Sequence, residues 1–172
     1  MMRNDEDLIA FTGVLGSLLD SLTRAVNLCE DKRQKQRFKN SSKKRIVLCL
    51  CKLKLNLSLR CLEVLFAMDR RICSKIFEYM VDLMADTLQD FIYWPTYEGN
   101  QDNVRMSAQD TLYTNKIAAA RVHVERAMQR LKTFHILKYK VALPIIPMID
   151  KIATIGAALV NLKNPLLPKD KF

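Results

Sequence analysis

A chain of 172 residues with 49% apolar residues, only 4 glycines and 5 prolines can bury a core, and should do so chiefly with helices. Its net charge of +10 is uneven: from Arg24 to Lys75, 15 Lys or Arg face four acids (Glu30, Asp31, Glu63, Asp69), so everything else nets −1. The five cysteines are odd in number and form no CxxC pair, which excludes a disulfide framework or zinc ribbon and predicts small buried thiols in a reducing compartment.

The start, MMRNDEDLIA, is acidic where a secretory signal would be basic and then apolar. Leu8, Phe11, Leu15, Leu18, Leu19, Leu22 and Val26 follow at helical spacing, with a break expected near Gly13 and Gly16. EDKRQKQRFKN, Glu30 to Asn40, is polar and basic and reads as a linker or exposed loop, closing an N-terminal segment of residues 1–40. The Ser41-Ser42 pair then opens a helix at about Lys43 that runs through IVLCLCKLKL. KNSSKKR, Lys39 to Arg45, doubles as a weak nuclear-localisation patch, so nucleus or cytosol is expected.

Residues 41–96 hold the most informative stretch. Ser58 can cap a short helix, Leu59 to Phe66, whose Leu62, Leu65 and Phe66 face inward. Ala67-Met68 makes the turn, and Asp69 caps a second helix from Arg70. Ile72, Ile76, Phe77, Met80, Leu83 and Met84 form the inward face of that helix, leaving Arg70, Arg71, Ser74 and Lys75 on the other side. Helix, tight turn and a helix with a basic, exposed N-terminal end is the layout of a DNA-reading helix-turn-helix. In that layout Arg70, Arg71, Ser74 and Lys75 reach base edges, while Lys43, Lys44, Arg45 and Arg60 hold phosphates. Any helical hairpin shares the outline. Glu78, Asp82, Asp86 and Asp90 then recur every fourth residue, too spread along the helix to converge on one metal ion. They make a solvated face, or a docking face for a basic partner helix.

Residues 97–113 are loop-like, and from about Thr114 a third long helix begins, with Ile117, Ala120, Val124, Ala127, Met128 and Leu131 inward. His123, Arg126 and Arg130 line another of its faces, and neither His123 nor His135 has a zinc-type companion. A final helix, from Ile145 or Pro147 to Leu162, is apolar nearly all round and should be buried. The apolar run Val141 to Leu162 is interrupted by two prolines and by Asp150-Lys151, so no membrane span is expected there.

Two segments resemble Harbinger (PIF)-type transposases, which carry a DDE endonuclease core. KKRIVLCLCKLKLNLSLRCLEVLFAMDRRICSKIFEYMVDLMADTLQDFIYWPT is similar to the helix-turn-helix domain preceding that family's nuclease. ARVHVERAMQRLKTFHILKYKVALPIIPMIDKIATIGAALVNLKNPLL resembles the last stretch of the nuclease domain, and its R-x-H-V-E-R-A-x-x-R-L-K motif is the more specific of the two. The resemblance implies a ribonuclease H-like sheet presenting two aspartates, with Glu125 as the third acidic residue on a later helix. Only about twenty residues separate Pro95 from Thr114, and they hold no β-rich run. A five-stranded sheet cannot fit there. Asp102 and Asp110 are available, but neither sits in strand-like sequence.

The expected fold is therefore all-α: a helical bundle with a helix-turn-helix at 41–96, and at 114–172 the remnant of the nuclease domain without its β-sheet. Two-metal phosphoryl chemistry needs several converging carboxylates. Glu125 alone supplies one weak metal ligand, so ion pairing with Arg121 or Arg126 is its easier role. The expected function is binding of double-stranded DNA by a catalytically inactive transposase derivative, with no cofactor. The alternatives are a DDE endonuclease using Mg²⁺ through Glu125, and an interaction module that self-associates or partners an intact transposase.

Overall fold

Side-chain caps and left-handed residues punctuate the chain, and apolar spacing decides what lies between them. The computed structural model describes residues 5–33, 38–92, 121, 124–139 and 141–162. Among these the protein is all-α, with no strand. α1 (Asp5–Thr12) begins with Asp5, Glu6 and Asp7 at the positive end of its dipole. It ends at Gly13, whose φ of 75° only glycine adopts without cost. α2 (Gly16–Arg33) buries Leu19, Leu22 and Val26. The break expected near Gly13 and Gly16 is present.

Three caps act within three residues of themselves. Ser41 accepts the Lys44 N–H and opens α3 (Ser42–Leu55). Ser58 accepts the Cys61 N–H at 3.2 Å and opens α4 (Leu59–Phe66). Asp69 accepts the Arg71 N–H at 2.7 Å and opens α5 (Arg70–Leu88). Such bonds satisfy helix-end donors that have no partner of their own. α3 closes on Asn56 (φ 51°), and buried Lys52 donates to the Leu57 carbonyl at 2.8 Å, fixing the link to α4. Burial lowers the Lys52 pKa.

α4 closes on Ala67 at φ 49°, a left-handed conformation that crowds the Cβ of an L-residue. Ala67→Gly should therefore raise stability by about 1 kcal/mol, read as a higher urea midpoint at unchanged slope. A lower midpoint would mean the turn relaxes around alanine at no cost.

α5 is the hub and packs against α2, α3, α4 and α8. Its Cys73, Ile76, Phe77, Met80, Leu83 and Met84 are buried with Ile46, Leu50 and Leu53 of α3. A short 3-10 turn, Gln89–Phe91, follows α5. α6 covers 124–131, α7 is His135–Lys138, and a 3-10 segment, Leu143–Met148, leads into α8 (Ile149–Leu162). Leu143–Leu162 is long and apolar enough by composition to cross a bilayer; its α-helical part buries Ile152, Ile155, Ala158 and Leu159 in the core. Gly156 permits close approach: a Cβ there would lie 2.9 Å from Leu131 Cδ1.

Several expectations need correction. Glu30 is no linker residue, because α2 continues to Arg33. Ile72 is exposed, and Cys73, one position on, takes the buried place in the stripe. Cys61 is exposed, unlike Cys49, Cys51 and Cys73. Val124 and Met128, expected inward, are 43% and 48% exposed, because no described element covers that side of α6. The acidic stripe is, as expected, a solvated face that also meets basic partners: Asp82, half-exposed, pairs with Lys151 of α8 at 2.8 Å, and Asp86 with Arg33 of α2. The interval 97–113, the start of the third helix at Thr114, and Asp102, Asp110 and His123 lie outside the described residues.

Candidate nucleic-acid interface

Two basic helix starts meet at one end of the bundle. α3 opens on Ser42, Lys43, Lys44 and Arg45, and α5 opens on Arg70 and Arg71; neither has an acid in its first turn. Asn40, just before α3, donates to the Met68 sulfur in the α4–α5 turn at 3.1 Å. Lys44 also lies near enough to act on the Cys73 thiol, which burial, then Glu63 and Asp69, push up. Between α4 and the start of α5 runs an open groove lined by Arg60, Glu63, Val64, Asp69, Arg70 and Arg71.

Arg60, Arg70, Arg71, Lys75 and Lys44 are exposed and form no ion pair among the described residues. Arg70 and Arg71 also face the positive end of the α5 dipole, at a cost of about 0.3–1 kcal/mol each. Burying one core side chain of α5 returns about 1.5–3 kcal/mol. The helix can therefore carry this charge, but local stability does not call for it. Ser74 is partly exposed and donates to Glu78 at 3.0 Å, and Lys43 pairs with Asp20 at 2.7 Å, both half-exposed and therefore weakly held.

Arg45 departs from its expected role. Its side chain is 5% exposed and turns inward, where Glu30 of α2 accepts two of its N–H groups. Ser42 accepts another at 2.9 Å, and the guanidinium lies 5.6 Å from the Phe38 ring centroid. Tyr79 of α5 donates to the same Glu30 carboxylate at 2.9 Å. Arg45 therefore cannot meet a phosphate; it joins α2, α3 and α5. The Arg45 bond, and less so Tyr79, holds the Glu30 pKa below its ordinary 4.5 against the opposing effect of burial. One signal in the sequence points there: Leu22, Val26 and Glu30 continue one i, i+4 row of α2, so Glu30 falls on the buried face.

The remaining candidate, Glu125, stands on α6, away from these helix ends in sequence. Its carboxylate accepts from Arg121 Nε at 3.1 Å, an i, i+4 ion pair with 59% of the Glu125 side chain exposed. Residues 20–161 match the family model described as DDE superfamily endonuclease.

The chain belongs to the DDE superfamily endonuclease family.

No curated protein and no solved structure matches it. For a DDE endonuclease the acids are the first concern: Asp102 and Asp110 lie outside the described residues, and among the described ones Glu125 alone does not fit a divalent-metal site. It is exposed, it already carries the Arg121 cation, and no three of His, Cys, Asp or Glu gather as a metal cage among the described residues. A hard cation needs converging oxygens to replace its waters.

Proposed function

We propose that this DDE-family chain is a double-stranded-DNA-binding protein derived from a Harbinger-type transposase, nuclear in a eukaryotic cell and without nuclease activity. The observation that carries the reading is the group of exposed cations Arg60, Arg70 and Arg71 lining one groove, with Lys75 exposed one turn further along α5, none of them in an ion pair among the described residues. α5 enters the major groove by its N-terminal turns while α4 crosses the backbone, the docking of a helix-turn-helix. Lys43, Lys44 and Arg60 then hold phosphates, and Arg70, Arg71, Ser74 and Lys75 face base edges.

On random-sequence duplex, where no base edge is matched, Arg70, Arg71 and Lys75 bear on phosphates as Lys43, Lys44 and Arg60 do, and six such cations give log K against log salt a slope of about −5. Fluorescence anisotropy on random-sequence duplex should show binding that weakens roughly a thousandfold between 50 and 200 mM salt. Affinity indifferent to salt would contradict the proposal.

Family membership favours a second reading, a metal-dependent endonuclease. It requires nicking of supercoiled plasmid with Mg²⁺ or Mn²⁺ and its loss in Glu125→Gln. The expected result is no nicking above the protein-free control with either ion. Nicking abolished by that substitution would restore the enzyme.

A further inference from the structure

The basic end of the bundle is not uniformly polar. Ile72, the third residue of α5, is 44% exposed, and Val64 of α4, in the groove wall beside Arg60 and Arg70, is 78% exposed. Periodicity does not account for Ile72 as core, since Cys73, Ile76, Phe77 and Met80 complete the buried i, i+3, i+4, i+7 row without it. Its sequence neighbour Arg71 and its i+3 neighbour Lys75 are the exposed cations of the same turns. An isoleucine is stiff at χ1, so it presents a fixed apolar surface at the part of the helix that leads into a groove.

We propose that Ile72 reads the 5-methyl group of thymine in the major groove, so that the chain prefers duplexes with thymine under the first turns of α5. This inference rests on the DNA-binding reading above and names the base feature that site selects. Of the major-groove edges only thymine offers an apolar group, and aliphatic side chains meet it by excluding water. Arg70 and Arg71 meet charge and base-edge acceptors that thymine and uracil present alike, whereas Ile72 meets the methyl that thymine alone carries. Val64 extends the apolar wall on the α4 side.

Replacing thymine by deoxyuridine removes that methyl and leaves every Watson–Crick bond in place. The test is anisotropy of the full chain on an alternating adenine–thymine duplex and on its adenine–uracil counterpart. The wild type should bind the thymine duplex about three- to fourfold more tightly, the effect of one buried methyl. Ile72→Ser should bind both duplexes alike, near the wild type's uracil value, while Ile72→Val should keep most of the preference. Arg71→Ala should weaken both duplexes and preserve their ratio. Because Ile72 is exposed, Ile72→Ser should fold as the wild type does, checked by circular dichroism. Equal wild-type affinity for the two duplexes, or a thymine preference that survives in Ile72→Ser, overturns the inference and leaves DNA binding standing. No binding to either duplex at low salt overturns both.

Discussion

Replacing Arg70, Arg71 and Lys75 together by alanine should remove most duplex binding. The three are exposed and make no ion pair among the described residues, so their loss costs the fold little; Arg70 and Arg71 even oppose the α5 dipole. The binding cost follows from counterion release, about 0.9 in salt slope for each phosphate-neutralising cation. The slope should fall from about −5 to between −2 and −3, and affinity at low salt by roughly two orders of magnitude. The urea midpoint should stay the same or rise slightly. Unchanged affinity and slope would remove α5 from the interface. A collapse of the urea midpoint would instead show that these residues hold the fold.

The second large effect is on stability. Glu30→Gln leaves Arg45 buried without its counter-charge, and stranding one partner of a buried pair costs about 3–5 kcal/mol. Glu30 retains 17% exposure, so the lower end, about 3 kcal/mol, is expected in urea unfolding. The sign of the pH dependence follows from the lowered Glu30 pKa. A carboxylate whose folded pKa is depressed contributes fully above its ordinary 4.5, and that contribution is lost as pH falls through the lower folded value. Wild-type stability should therefore drop more steeply than that of Glu30→Gln below about pH 4.5. Replacing Glu30 and Arg45 together by methionine should be close to neutral, because no charge is left stranded. If Glu30→Gln unfolds with the wild-type midpoint, the pair is a surface contact. Tyr79→Phe, which loses one hydrogen bond to Glu30, should cost about 1 kcal/mol.

What the sequence made legible is local. The caps at Ser41, Ser58 and Asp69 act on N–H groups two or three residues ahead, so type and spacing suffice to place them. The all-α class follows from periodicity and the scarcity of glycine and proline. The Glu30–Arg45–Tyr79 junction spans 49 residues, and no local rule pairs a glutamate in a charged run with a tyrosine so distant. That is why Arg45 reads as a surface phosphate ligand until its burial is known. Periodicity also marks a stripe without naming what covers it. Ile76 and Val124 both lie on apolar stripes, yet α3 and α8 pack on α5 while Val124 stays exposed. In the candidate site, the exposed positions of Arg70, Arg71 and Lys75 were legible from one helix face. The approach of the α3 start to the α4–α5 turn, made through Asn40 and Met68, was not.

The proposed DNA-facing surface is made of two helix starts, those of α3 and α5, acting together. Amide hydrogen exchange of the full chain, with and without duplex DNA at low salt, tests that surface directly. Slowed exchange should concentrate at Lys39 to Arg45 and at Arg60 to Lys75, with the core of α8 unchanged. Slowing confined to 124–131 or to Leu143–Leu162, or none at all with duplex bound, would contradict it.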